Sequence, residues 1–389
     1  MSRYVALALL AALTGPARPA FAQQDAQAQF MEGERYRVGA GVKSDQVQAR
    51  QWYLKAAAQG HAKAQYQLGM IYNYGRGVPK DAVQAIAWYK KAAAQGEVSA
   101  ALELGEIYQL GRGVPRDWNL AFPWIKQASE AGEILATLQL ARAYRYGRGT
   151  PKDPVKALQL LRIGADSGFS TAQYDIGVMY YSGEGVPANE REAVSWFRKS
   201  AAARFGGGPA MRSLGYVYTN GRGGVGRDSA EGMRWYVKAA ERGDGPAQNH
   251  LGWSYETGTL VSKDLAQAVT WYGKAAKNDD ADGQFNLGRL YSFGIGIAKD
   301  PVQGVAWYQK AADQGLYAAQ YYLSWSYFTG AGVAVDSVAG YQWLYLASTR
   351  DAENKDYRDR MAYVEPRMSG ALKERGKALA LEWLKRRGP

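Results

Sequence analysis

The chain has 389 residues, 47% of them apolar, and carries 48 lysines and arginines against 36 aspartates and glutamates, a net charge of +12. That composition excludes a disordered chain and a membrane bundle. The absence of cysteine excludes a disulfide framework, a thiol nucleophile and a lipid-anchored lipoprotein.

Met1 to Ala22 opens with Arg3, continues as an apolar run from Tyr4 to Leu13 and closes on the small-residue exit Ala20-Phe21-Ala22. This pattern predicts a secretory signal peptide cleaved before Gln23. The apolar run is about half the ~20 residues that a transmembrane anchor needs. Cleavage removes Arg3 and Arg18 and lowers the net charge from +12 to +10. The expected location is therefore periplasmic or secreted.

The remainder is organised by a repeat, the first pattern to test for in any chain. Tyr36, Tyr72, Tyr108, Tyr144 and Tyr180 are evenly spaced, and the column continues as Tyr218, Tyr255, Tyr291 and Tyr327. It defines nine units at 28–63, 64–99, 100–135, 136–171, 172–209, 210–246, 247–282, 283–318 and 319–349. A tryptophan column runs through Trp52, Trp88, Trp124, Trp196, Trp235, Trp271, Trp307 and Trp343, with Leu160 in the fourth unit. A small-residue column runs through Gly33, Gly69, Gly105, Ala141, Gly177, Gly215, Gly252, Gly288 and Ser324. A small residue there lets a neighbouring helix approach closely, which must outweigh the roughly 1 kcal/mol cost of glycine inside a helix.

Within the unit 64–99, Ala64, Tyr66, Leu68, Ile71 and Tyr72 have helical spacing and predict a first helix ending near Tyr74, stopped by Gly75 and Gly77. Asp81 is placed to cap a second helix, with Ala85, Trp88, Tyr89, Ala92 and Ala93 on a packing face, Lys90 and Lys91 toward water, and Gly96 closing it. The equivalents of Asp81 are Asp45, Asp117, Asp153, Asp228, Asp264, Asp300 and Asp336, with Asn189 in the fifth unit. Asparagine caps as well as aspartate, so the exchange favours capping over catalysis or metal binding.

The order A-x-x-x-L-G-x-x-Y-x-x-G-x-G-V-x-x-D followed by A-x-x-W-Y-x-K-A-A-x-x-G resembles the Sel1-like repeat, a relative of the tetratricopeptide repeat, over about 28–349. The resemblance implies an all-α fold, a right-handed solenoid of nine helix-turn-helix repeats. Residues 350–389 lose the glycine signature but keep helical spacing through Met361, Val364, Met368, Leu372, Leu379 and Trp383. They are expected to form one C-terminal capping helix with the basic tail Lys385-Arg386-Arg387. Two stretches break the pattern, Arg204 to Pro209 and Gly221 to Gly226; each is read either as a hinge or as a tolerated surface insertion.

Catalytic signatures are missing. His61 falls in a turn, His250 in a helix, and neither has a ligand-spaced companion. Gly221-x-Gly223-x-x-Gly226 matches the dinucleotide fingerprint formally, but it follows a helix where the motif requires a strand. No G-x-S-x-G, S-x-x-K or phosphate loop occurs. No catalytic, cofactor-binding or metal-ligating residue is therefore nominated.

In tetratricopeptide-like solenoids the first helix of each unit lines a concave surface. By analogy, positions flanking the packing columns form a candidate partner groove. In the first five units these are Glu34, Arg37, Tyr66, Met70, Tyr74, Glu106, Arg142, Arg145, Tyr146, Tyr174 and Tyr181. In the last four they are Arg212, Tyr216, Trp253, Glu256, Arg289, Phe293, Trp325 and Phe328. The set is rich in Arg, Tyr and Trp, which dominate binding hot spots.

The expected function is a non-enzymatic exported scaffold or adaptor that binds a protein or peptide of the cell envelope, with no nucleic acid and no membrane span after cleavage. The alternative is a binder of an acidic envelope polysaccharide or peptidoglycan, motivated by the basic charge. A weak cell-wall or β-lactam hydrolase ranks last, because no nucleophile can be named.

Overall fold

The computed structural model describes residues 25–204 and 206–387. The expected leader Met1–Ala22 lies outside the described residues. Among them are twenty α-helices, one 3-10 turn and no strand. No described helix is long and apolar enough to cross a membrane.

The chain divides into two compact units between Ala188 and Asn189. The first holds α1 (Ala26–Val38), α2 (Gln46–Ala58), α3 (Ala62–Tyr74), α4 (Ala82–Ala93), α5 (Val98–Leu110), α6 (Trp118–Glu130), α7 (Ile134–Tyr146), α8 (Pro154–Asp166) and α9 (Ser170–Ser182). The second holds α10 (Glu190–Ala201), α11 (Gly208–Asn220), α12 (Ser229–Glu241), α13 (Gly245–Thr257), α14 (Leu265–Lys277), α15 (Ala281–Phe293), α16 (Pro301–Asp313), α17 (Tyr317–Thr329), α18 (Ser337–Arg350), α19 (Lys355–Val364) and α20 (Gly370–Arg387). Within each unit, consecutive helices pair as hairpins and each hairpin stacks on the next, the nearest-neighbour economy of a solenoid.

One loop shows why this sequence makes a hairpin. α3 ends where Gly75 enters the left-handed region at φ 69°, and the Gly75 N–H reaches back to the Ile71 carbonyl. The Asp81 N–H then donates to the Tyr72 carbonyl at 2.9 Å, pinning the loop to the helix it has just left. The Asp81 carboxylate accepts from the Gln84 N–H at 2.9 Å and starts α4. The same side-chain cap forms at Asp45, Asp117, Asp153, Asn189, Asp228, Asp264, Asp300 and Asp336.

The interior column is the residue after the tryptophan. Tyr53, Tyr89, Tyr272 and Tyr308 are fully buried, and each ring lies against the glycine of the first helix in its own repeat. A Cβ on Gly33 would sit 2.5 Å from the Tyr53 ring, and one on Gly252 would sit 2.6 Å from that of Tyr272. In the fourth and ninth repeats the second-helix residue is the smaller Leu161 or Leu344, and the facing position is Ala141 or Ser324. The third repeat keeps Gly105 against the smaller Ile125, where a Cβ would sit 2.7 Å from the side chain.

Trp343 is buried and Trp124 has Gln127 three residues on, but Trp52, Trp88, Trp196, Trp235, Trp271 and Trp307 are half-buried, each with the lysine three residues on over its indole. The ammonium-to-ring distances are 4.1 Å for Lys55 on Trp52, 4.3 Å for Lys91 on Trp88 and 3.8 Å for Lys274 on Trp271. The lysine face expected to be simply solvated is therefore also a set of cation–π lids.

A second column joins repeats through polar groups. Buried Gln65 donates to the Ala57 carbonyl at 3.2 Å and accepts from Gln95 at 2.8 Å, and Gln248 and Gln284 repeat the pattern in the second unit. At the turn before α15, where other repeats use glycine, Asp279 takes φ 62° and accepts from Gln284 and Gln314.

The C-terminal region differs from expectation, with two helices in place of one. The run passes into a 3-10 turn at Glu365–Arg367, where Pro366 offers no N–H to continue the α-helical ladder, and Met368 turns extended before α20 begins. α20 closes the stack: Trp383 meets Trp343 edge-on at 6.0 Å, and the ring of Tyr341 lies against Gly376. Arg386 of the basic tail pairs with Glu382 at 3.7 Å. The Arg204–Pro209 insertion is pinned within the second unit, since Arg242 donates to the carbonyls of Ala203 and Gly206, each at 2.9 Å; Phe205 lies outside the described residues.

Candidate partner-binding surface

In the first unit, the groove positions fall into two groups. Glu34 is buried; it pairs with Arg37 and accepts from the Tyr53 hydroxyl at 2.6 Å. Burial, reinforced by Glu34, pushes the Tyr53 phenol well above its ordinary pKa. Tyr66 leans on Tyr89 at 5.8 Å, and burial pushes its phenol up to about 12. Met70, Tyr174 and Tyr181 are half-buried. Glu106 pairs with Arg112 at 3.1 Å.

Arg145 is 7% exposed and forks between Asp175 at 3.5 Å and Glu184 at 2.8 Å, tying the fourth repeat to the fifth. Burial raises the Asp175 pKa in spite of Arg142 and Arg145. At Glu184 burial also acts upward, but hydrogen bonds from Arg145 and Lys152 more than offset it and hold the carboxyl below its usual range. Arg142, Tyr74 and Tyr146 stay exposed.

The second unit sorts the same way. Arg212 donates to Asp244 at 2.9 Å, and the same carboxylate caps α13. Arg289 pairs with Glu256 at 2.6 Å, while the Tyr272 hydroxyl donates to Glu256 at 2.9 Å. Phe328 fills the space above Gly340. Tyr216, Trp253, Phe293 and Trp325 remain 43%, 42%, 59% and 42% exposed, one in each of four successive repeats. Arg360 of α19 lies 3.9 Å from the centre of the Trp325 ring.

Glu34, Arg37, Glu106, Arg142, Arg145, Arg212, Glu256 and Arg289 are therefore engaged in ion pairs within the chain, Arg142 with an exposed side chain. The exposed aromatics that form no ion pair are Tyr74 and Tyr146 in one unit and Tyr216, Trp253, Phe293 and Trp325 in the other. Groove periodicity in the sequence could not separate these groups, because pairing depends on what the next repeat presents.

Sequence reasoning also passed over the loops. Three consecutive ones read G-R-G and place Arg76, Arg112 and Arg148 beside the hairpin bend. A second omission is at the fourth repeat, where Leu160 and Ile163 replace the usual tryptophan–lysine pair. There a cavity of about 350 Å³ opens, walled by Leu140, Tyr144, Leu160 and Ile163. Among the described residues no group of three or more His, Asp and Glu could hold a metal ion.

Both histidines have structural work. His61 caps α3, its Nδ1 accepting from the Ala64 N–H at 3.1 Å, and His250 lies against Tyr236 with ring centres 4.0 Å apart. Burial lowers the pKa of each. A free histidine titrates near 6.5, so as pH falls through that value the unfolded chain takes up protons before the folded chain does, and stability declines. The urea midpoint is expected to drop between pH 7 and 5, and His250→Phe to flatten part of that drop. A parent midpoint constant over this range would contradict the assignment.

Family comparison matches the Sel1 repeat nine times, at residues 26–61, 62–97, 98–133, 134–169, 170–204, 208–244, 245–280, 281–316 and 318–351. The chain belongs to the Sel1 repeat family. The first eight family repeats begin two residues before the units read from the tyrosine column, and the ninth begins one residue before. Sel1 repeats form protein-interaction scaffolds. This Sel1 chain is similar to the crystal structure of a protective antigen of uropathogenic Escherichia coli with an SLR fold. The identity is 34%, the match covers 93% of this chain and 77% of that one, and the TM-score is 0.62. It is also similar to a Sel1 repeat protein from Oxalobacter formigenes, at 29% identity, 81% and 90% coverage and a TM-score of 0.59. Comparison with curated proteins returned no match.

Proposed function

We propose that this Sel1 repeat protein is an exported, non-catalytic adaptor whose first-helix face holds a protein or peptide of the cell envelope. The observation that carries the reading is the line Tyr216, Trp253, Phe293 and Trp325, exposed on the first helices of four successive repeats. Each ring is about half exposed and so forgoes roughly half of the 1.5–3 kcal/mol that full burial of an aromatic supplies, and exposed aromatics recurring on successive first helices favour an interaction surface. Large aromatics lose little side-chain entropy on binding and serve as anchors. Export rests on the leader pattern of Met1 to Ala22.

The test is crosslinking capture from envelope extract by the mature chain at low and high salt. One protein retained at both salts is expected, and the double variant Tyr216→Ala/Trp253→Ala should weaken its capture at least about tenfold, equivalent to 1.4 kcal/mol. Its circular dichroism and melting should match the parent. Full capture by a folded double variant would remove the aromatic line from the site.

A further inference from the structure

We propose that the loop edge of repeats two to four is a separate docking site for an extended, carboxylate-rich peptide segment. This goes beyond the adaptor reading, since it concerns a different surface in the other unit.

The edge carries Arg76, Lys80, Arg112, Arg116, Arg148 and Lys152, two cations from each of three consecutive loops. The nearest constant anions, Asp81, Asp117 and Asp153, spend a carboxylate oxygen on backbone N–H groups at the starts of α4, α6 and α8. Arg112 is paired with Glu106 and Lys152 with Glu184. Arg76, Lys80, Arg116 and Arg148 form no ion pair among the described residues. In the fifth repeat the central loop residue is Glu184, which pairs with Arg145 and Lys152 and ends the basic run.

The unpaired arginines are held in place by aromatic rings. Arg76 lies 5.3 Å from the ring of Tyr74, Arg116 lies 5.4 Å from Trp118, and Arg148 bridges Trp118 at 5.0 Å and Tyr146 at 5.1 Å. Contact with the rings restricts these side chains before any ligand arrives, and their guanidinium N–H edges enter no ion pair among the described residues. Those edges match the two oxygens of a carboxylate. Tyr74 and Tyr146 stay 43% and 52% exposed beside these guanidinium groups, apolar surface that the side chains between a peptide's carboxylates can cover.

The dimensions fit. Between the second and third loops a cavity of about 520 Å³ is lined by Asn73, Tyr74, Lys80, Ala82, Arg112 and Gly113, combining two cations with an apolar wall. Packed helices lie roughly 8–10 Å apart, so three successive loops span about 20 Å. An extended chain covers that length in about six residues at roughly 3.3 Å each. A carboxylate every second or third residue would meet every loop.

The experiment measures fluorescence anisotropy of a labelled ten-residue Asp/Glu-rich peptide against the full mature chain at several salt concentrations. Arg116→Gln/Arg148→Gln should weaken binding at least about tenfold and flatten the salt dependence. Arg116→Lys/Arg148→Lys keeps the charge and loses the fork, and should recover only part of the affinity. Lys263→Gln/Lys299→Gln removes the same charge from loops of the other unit and should change affinity less than about threefold. Equal loss in that control would reduce the effect to net charge and overturn the proposal. So would an oligogalacturonate that binds as tightly as the peptide, or no peptide binding at low salt. Envelope-partner capture by the Arg116/Arg148 variants separates this result from the fate of the aromatic line.

Discussion

Arg145→Met is expected to destabilise the first unit by about 3–5 kcal/mol, although arginine on a helix of a repeat protein is ordinarily a surface residue. The guanidinium is nearly inaccessible and holds Asp175 and Glu184 together from the fourth repeat to the fifth. Removing it strands two carboxylates, with only Arg142 at 3.7 Å from Asp175 and Lys152 at 3.1 Å from Glu184 as partial compensation. Arg142→Gln, on an exposed side chain, should change stability by less than about 0.5 kcal/mol. Urea unfolding of the two variants checks the pair. Adding Asp175→Asn and Glu184→Gln to Arg145→Met should recover most of the loss, because neutral groups are cheaper to leave unpaired. Comparable midpoints for Arg145→Met and Arg142→Gln would show that the buried fork contributes nothing.

Gly69→Ala is the second large effect, and it runs against helix propensity. Alanine in the middle of α3 gains about 1 kcal/mol over glycine. Its Cβ, however, would overlap the ring of Tyr89, which is fully buried and has no room to withdraw. Overpacking of this kind costs typically 1–3 kcal/mol, so a net loss of about 1–2 kcal/mol is expected. The fourth repeat already contains the compensated pair, Ala141 facing Leu161. In a Tyr89→Leu background the penalty of Gly69→Ala should therefore vanish or change sign. A double-mutant cycle measures this as a coupling of about 1–3 kcal/mol. Additive penalties would mean that the glycine column is kept for helix curvature or another local reason, and not for the ring.

These two positions also show how much could be read without coordinates. Gly69 belongs to a column that recurs every repeat, and the need for close approach was legible from that recurrence. Its partner was not legible: Trp88 and Tyr89 both fall on the packing face of the second helix, and only the tyrosine ring lies against the glycine. Helical phase decides which of two adjacent aromatics is interior, and the composition of the column does not reveal it. Arg145 was legible only as one member of a variable, Arg- and Tyr-rich set. Asp175 and Glu184 are 30 and 39 residues away, and nothing local in α7 distinguishes a paired arginine from the exposed Arg142 three residues earlier. The G-R-G loops were visible as letters, yet the stacking of Arg148 on both Trp118 and Tyr146 exists only when two hairpin bends are brought side by side.

By itself the sequence determined the nine-fold repeat, the all-helical class, the aspartate caps and the family, because each depends on interactions within about one repeat and is written again in the next. The tertiary structure decided which polar side chains are spent on holding neighbouring repeats together, which aromatics face water, and that the C-terminal cap is two helices separated by the turn Glu365–Arg367. Those outcomes depend on burial and on partners roughly 15 to 40 residues distant, and the energy of a charge or a ring is set by what surrounds it in space.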